Sequence, residues 1–103
     1  MTENLNSKIF SEHLNSEFKI LLPNSEPLTL RLTEVNERST APQQEQFSLF
    51  FRGPHTPRLQ QQIYRLEHEK IGSLDLFIVP IGVDQEGMQY EVVFNRFRKP
   101  ESR

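Results

Sequence analysis

Residues 28–33, Leu28-Thr29-Leu30-Arg31-Leu32-Thr33, set three leucines on one side of an extended chain and Thr, Arg and Thr on the other. Successive side chains of an extended chain point to opposite faces, so this alternation predicts a strand buried on one face only. The same two-residue rhythm spreads outward in both directions. Phe18, Ile20 and Leu22 alternate before PNSEP at 23–27, whose two prolines, Asn and Ser break a ladder and predict a turn, so 18–22 and 28–33 form a hairpin. Phe47, Leu49 and Phe51 resume the pattern with Phe50 on the opposite side, which predicts a central strand covered on both faces. RGPHTP at 52–57 stops it. Ile63, Tyr64 and Leu66 predict a fourth strand ending at His68, and 74–83 is the most apolar run of the chain. Pro80 has no N–H to give a ladder, so that fifth strand ends near Val79 or carries an edge or a bulge there. DQEG at 84–87 turns the chain into a sixth strand with Tyr90, Val92 and Phe94 on one face.

Ahead of these strands, Leu5, Ile9, Phe10, His13 and Leu14 repeat with helical spacing, and Asn4 or Asn6 can cap the first turn. The apolar side of this helix is expected to cover an open end or face of the sheet. NERSTAPQQEQ at 36–46 holds one apolar side chain, and a solvated, disordered loop is expected there. The expected fold is therefore mostly β (α+β): a small antiparallel β-barrel or coiled sheet of about six strands with one short N-terminal helix. No alternation of strands with crossover helices exists, which excludes a parallel doubly wound sheet. The 103 residues are read as one β-rich domain over 1–98 followed by a short basic disordered tail, 99–103.

Composition removes several classes of chemistry. Without cysteine there is no disulfide, thiolate metal site or Cys nucleophile. MTENLNSKIF has neither a basic nor an apolar targeting region, and no run approaches the ~20 apolar residues of a membrane span, so a cytoplasmic setting without membrane contact is expected. A net charge of −2 favours neither nucleic acid nor anionic lipid. The basic residues Arg96, Arg98, Lys99 and Arg103 at the C-terminus read as a solvated tail.

No catalytic constellation stands out. His13, His55 and His68 lack ligand spacing, so neither a metal site nor a cofactor is expected; His68 reads as a polar group whose ring hydrogen-bonds a turn carbonyl. Ser48 and His68 could be cross-strand neighbours, though nothing in the spacing selects them as nucleophile and base. Glu67, Asp75 and Glu91 read as outward charges opposite Arg52 or Arg65. Glycines 53, 72, 82 and 87 are isolated and serve turns rather than a phosphate cradle. Phe50, Phe77 and Tyr90 could stack bases, but rings at period-two positions read as core, and nucleic-acid binding is disfavoured. Arg52 stands out, its backbone fixed by a covered strand before it and Gly-Pro after it. It is either an internal clamp on Glu67 or Glu91 or a fork for a partner's carboxylate.

The blocks FSLFFRGP (47–54), YRLEH (64–68), LDLFIVPIG (74–82) and MQYEVVFN (88–95) resemble a family of short, uncharacterised bacterial domains of unknown function. The resemblance implies a bacterial source and a self-contained small domain. It supplies no activity, but places weight on Arg52, Gly53, Tyr64, Glu67, His68, Pro80, Gly87, Tyr90, Glu91 and Asn95 as positions within the shared blocks; of these, Arg52, Glu67, His68 and Glu91 are the candidate binding residues and the other six read as structural. It also points toward accessories of phage-tail-like fibre proteins.

The expected function is non-enzymatic: a bacterial protein-binding or assembly module that presents an edge strand near Pro80, or a loop, to another protein or to a copy of itself. The alternative is a small-molecule-binding barrel or small enzyme with a polar site around Arg52, Glu67, His68 and Glu91.

Overall fold

The computed structural model describes residues 7–22, 26–39 and 44–97. Its elements are α1 (Ser7–Ser11), β1 (Glu17–Ile20), β2 (Leu28–Ser39), β3 (Gln44–Gly53), β4 (Gln62–His68), β5 (Gly72–Asp84) and β6 (Gly87–Phe97). All strand pairs are antiparallel, and they close as a ring in the order β1-β2-β3-β6-β5-β4. The expected class, a mostly antiparallel β-domain of six strands with one short N-terminal helix, is what the chain forms.

Every strand has two neighbours in the ring, and β2 and β5 hand over from one to the other along their length. β2 pairs with β1 from Leu28 to Arg31 and with β3 from Arg31 onward; β5 pairs with β4 up to Ile78 and with β6 from Val79 onward. A register shift follows each handover, between Leu32 and Glu34 and between Pro80 and Gly82. An extra residue bends a strand and raises its twist, which lets one strand turn a corner between two sheets. Pro80 thus marks a bulged corner, and beyond Ile78 the β4 side of β5 carries no ladder, so the bulge and the local edge expected there are both present. A proline can stand at this point because β4 no longer pairs with β5 beyond Ile78.

Alternation decides what the ring encloses. Phe18 and Ile20, Leu28, Leu30 and Leu32, Phe47, Leu49 and Phe51, Leu74, Leu76 and Ile78, and Met88, Tyr90 and Val92 all turn inward and are buried. Phe18 meets Phe51 edge to face at 5.3 Å, and Phe47 stacks on Phe94 at 4.6 Å. Phe10 of α1 packs on both Phe47 and Phe94, so the helix does cover an inner face. Ser48 is also buried, although it has the opposite parity from Phe47 and Leu49, as expected for a strand covered on both sides.

Boundaries differ from the sequence reading in three places. The helix is confined to Ser7–Ser11; His13 and Leu14 lie in the following turn, and Leu5, Asn4 and Asn6 lie outside the described residues. β1 stops at Ile20 rather than near Leu22, because Ile20 already stands opposite Leu28, the first residue of β2, and Pro27 before it has no N–H to extend the ladder. The long solvated loop at 36–46 is largely strand: Asn36 pairs with Ser48, Glu37 with Phe47 and Ser39 with Gln46. On its other side β3 continues against β6 as far as Gln44 and Phe97. Backbone hydrogen bonds on both sides sustain this ladder, so it needs no apolar side chains. Residues 40–43 and the tail bearing Arg98, Lys99 and Arg103 fall outside the described residues.

Candidate functional site

Glycine governs the end of the ring where β3 meets the β5–β6 turn. Gly87 has φ +130°, and a Cβ there would stand 2.0 Å from the carbonyl oxygen of Gly53. A Cβ on Gly53 would in turn meet Leu30 at 2.6 Å. Both positions need the missing side chain, and their closeness brings the turn over Arg52. The Arg52 Nη1 donates to Asp84 Oδ1 at 2.6 Å, and its Nε lies 3.7 Å from Glu86. Asp84 also accepts from the Glu86 backbone N–H at 2.8 Å and from the Gln89 amide at 3.1 Å. Hydrogen bonding to Asp84 raises the Arg52 pKa, and the same contact, with the Glu86 N–H, holds Asp84 below the usual carboxylate range. Arg52 is therefore an internal clamp, but on Asp84 rather than Glu67 or Glu91. The clamp borders a cleft of about 290 Å³ lined by Glu17, Thr29, Arg31, Arg52, Gly53, Pro54 and Glu86.

His68 is buried on the inner side of β4, its ring 4.5 Å from Phe18 and 4.9 Å from His13. Its Nδ1 accepts from the N–H groups of Lys70 and Ile71 at 3.0 and 3.1 Å. Two donors at Nδ1 leave the proton of the neutral ring on Nε2, which donates to Ser16 Oγ at 2.9 Å, while the Ser16 hydroxyl donates to the His13 carbonyl. In a catalytic Ser–His pair the imidazole accepts the hydroxyl proton. Here the proton runs the other way, so Ser16 gains no nucleophilicity from His68. Burial first, and His13 second, lower the His68 pKa. Ser48 and His68, which the sequence leaves possible but disfavoured as cross-strand neighbours, are not neighbours, since β3 and β4 share no ladder and lie across the ring from one another.

That topology also separates the expected binding positions. Arg52 and Glu91 occupy the adjacent strands β3 and β6, with Glu91 opposite Phe50 and Val79. Glu67 is on β4 opposite Lys19 and Ser73, facing outward while His68 faces inward. A shallow cleft of about 510 Å³ collects Glu67 and His68 with Ser16, Glu17, Lys19 and Glu69. Among the described residues no group of three or more His, Asp or Glu is placed to hold a metal ion. The structural positions do specific work. The Tyr90 hydroxyl accepts from the Leu59 N–H at 3.0 Å, and the Tyr64 hydroxyl bonds both backbone groups of Gln60. These two rings anchor the segment that crosses from β3 to β4. Asn95 stands opposite Gln46.

The outer face carries what the sequence reading missed. On β5, Leu74, Leu76 and Ile78 take the inner parity, so Phe77 points outward, where it is 46% exposed. Directly opposite on β4 stands Ile63, 65% exposed. Ile81 and Val93 are also exposed, and Val79 and Phe50, which flank Glu91 in the ladders, are half-buried. Beside the Ile63–Phe77 pair, Arg65 grips Asp75 with both a 2.9 Å and a 3.2 Å hydrogen bond. This is the cross-strand ion pair expected for Asp75.

A family model covers nearly all of this fold. The chain belongs to the family described as Domain of unknown function (DUF6916), matched over residues 5–94. The match takes in α1 and β1 to β5 whole and β6 as far as Phe94. No curated protein and no solved structure matches the chain. No helix among the described residues is long and apolar enough to cross a membrane.

Proposed function

We propose that this chain is a non-enzymatic protein-docking module that binds through the outer face of β4 and β5, and not through an edge strand. The observation that carries the reading is the directly opposed, solvent-facing pair Ile63 and Phe77, extended along β5 by Val79 and Ile81. Scattered exposed apolar residues are ordinary, but a cross-strand pair continued along one strand is a patch, and patches on small soluble domains mark interaction surfaces. Aromatic anchors flanked by a charged rim are the usual composition of such surfaces. Arg65 and Asp75 supply the rim here. The resemblance to accessories of fibre proteins fits a small assembly part of this kind.

Affinity capture from the source organism, with the wild-type chain and an Ile63→Ser/Phe77→Ser variant as baits, tests the proposal. Bound protein is expected with the wild type and lost with the variant, while Arg52→Ala, which alters only the internal clamp, keeps it. Identical captured sets for wild type and the Ile63/Phe77 variant would overturn the reading.

A further inference from the structure

We infer that the occupant of this face is a second copy of the chain, packed face to face about a two-fold axis running along the strands between β4 and β5. The inference rests on the docking reading above and names its partner. Under that operation each outward residue of β4 faces the residue of the partner's β5 that stands opposite it in its own ladder. The register then dictates every contact. Ile63 lies against the partner's Phe77, Arg65 against the partner's Asp75, and Glu67 against the partner's Ser73, and each contact occurs twice.

Every row is complementary: apolar on apolar, cation on anion, carboxylate on hydroxyl. The two exposed Arg65–Asp75 pairs merge into one four-charge network without a like-charge collision. The β2–β3 surface across the ring lacks this property: Arg31 stands opposite Arg52 there, so the same operation would press arginine onto arginine. The β1–β2 ladder is also complementary in charge, with Glu17 opposite Arg31 and Lys19 opposite Thr29, but it carries no outward apolar pair. The β4–β5 face joins complementary charge to the exposed Ile63–Phe77 pair. An interface of the usual ~800 Å² per partner would take little more than a tenth of the chain's 6963 Å² surface. The two-strand face falls short of that area by itself, so a weak, concentration-dependent dimer is expected.

Light scattering coupled to size exclusion should show a mass rising with concentration from 12.2 kDa toward twice that value. Phe77→Glu should weaken the dimer by about tenfold or more; Ile63→Glu, at an even more exposed position, should do the same. Arg65→Asp should also weaken it, and adding Asp75→Arg should restore it. The chain has no cysteine, so register can be read directly. With a short bismaleimide, an equimolar mixture of an Ile63→Cys variant and a Phe77→Cys variant should crosslink several-fold more than a mixture of Ile63→Cys and Ser73→Cys variants, because Ser73 stands four residues further along β5. Equal crosslinking in the two mixtures, or a monomer up to about 1 mM, overturns the pairing. A monomer that still loses a different bound protein on Phe77→Glu ends the self-pairing and leaves the docking reading standing.

Discussion

At the residue scale, the two glycines with positive φ differ in what surrounds them, and this separates two effects of glycine. A Cβ at Gly72 (φ +97°) would meet nothing within 4 Å, whereas one at Gly87 would run into the Gly53 carbonyl. Gly72→Ala therefore adds backbone strain alone, roughly 1–2 kcal/mol. Gly87→Ala adds strain and a clash between backbones that cannot retreat, about 3 kcal/mol or more. Urea unfolding should place the Gly87→Ala midpoint well below that of Gly72→Ala; equal midpoints would refute the close approach of the turn to β3. The Tyr90 hydroxyl makes a different kind of contribution. Tyr90→Phe leaves the buried Leu59 N–H without its acceptor and should destabilise by about 1–3 kcal/mol.

At the scale of elements, the turn after β4 depends on the protonation state of one ring. His68 holds the Lys70 and Ile71 N–H groups only while Nδ1 carries no proton. Its pKa in the fold is lowered from 6.5, so the folded chain binds the proton less well than the unfolded chain does. Stability from this group is full above the ordinary His range and is lost as pH falls through the folded pKa. Thermal unfolding should show the midpoint dropping on acidification below about pH 6.5. His68→Asn keeps an acceptor for the two N–H groups and removes the titration, so the drop should flatten. An undiminished drop would show that the acid sensitivity does not come from His68. The sequence reading bonds the His68 ring to a turn carbonyl; the ring does bond the turn, but Nδ1 accepts from two backbone N–H groups instead. Ser16, 52 positions away, could not be inferred from spacing.

For the molecule as a whole, closure rests on the shortest strand. β1 has four residues and meets β4 only at Lys19–Glu67 and Ile20–Leu66, yet it completes the ring. Phe18 anchors it, fully buried between Phe51 and His68. Phe18→Ala should cost about 3–5 kcal/mol, a large share of the 5–15 kcal/mol of a whole domain. The expected outcome is a chain largely unfolded at moderate urea, read by circular dichroism. Retention of wild-type stability would show that β1 is dispensable to the ring.

What the amino-acid order determined by itself is parity. Leu28, Leu30 and Leu32, or Leu74, Leu76 and Ile78, must share a face because an extended chain alternates, and that local rule yields the strands, the inward rings and the β class. It also held the signal for Phe77, whose parity opposes its neighbours, although an apolar ring invites assignment to the core. Tertiary structure alone decided the partners. Arg52 chooses Asp84 over Glu67 or Glu91, Pro80 becomes a corner, and Ile63 meets Phe77, because closing the ring joins strands by shape and twist that no local pattern encodes.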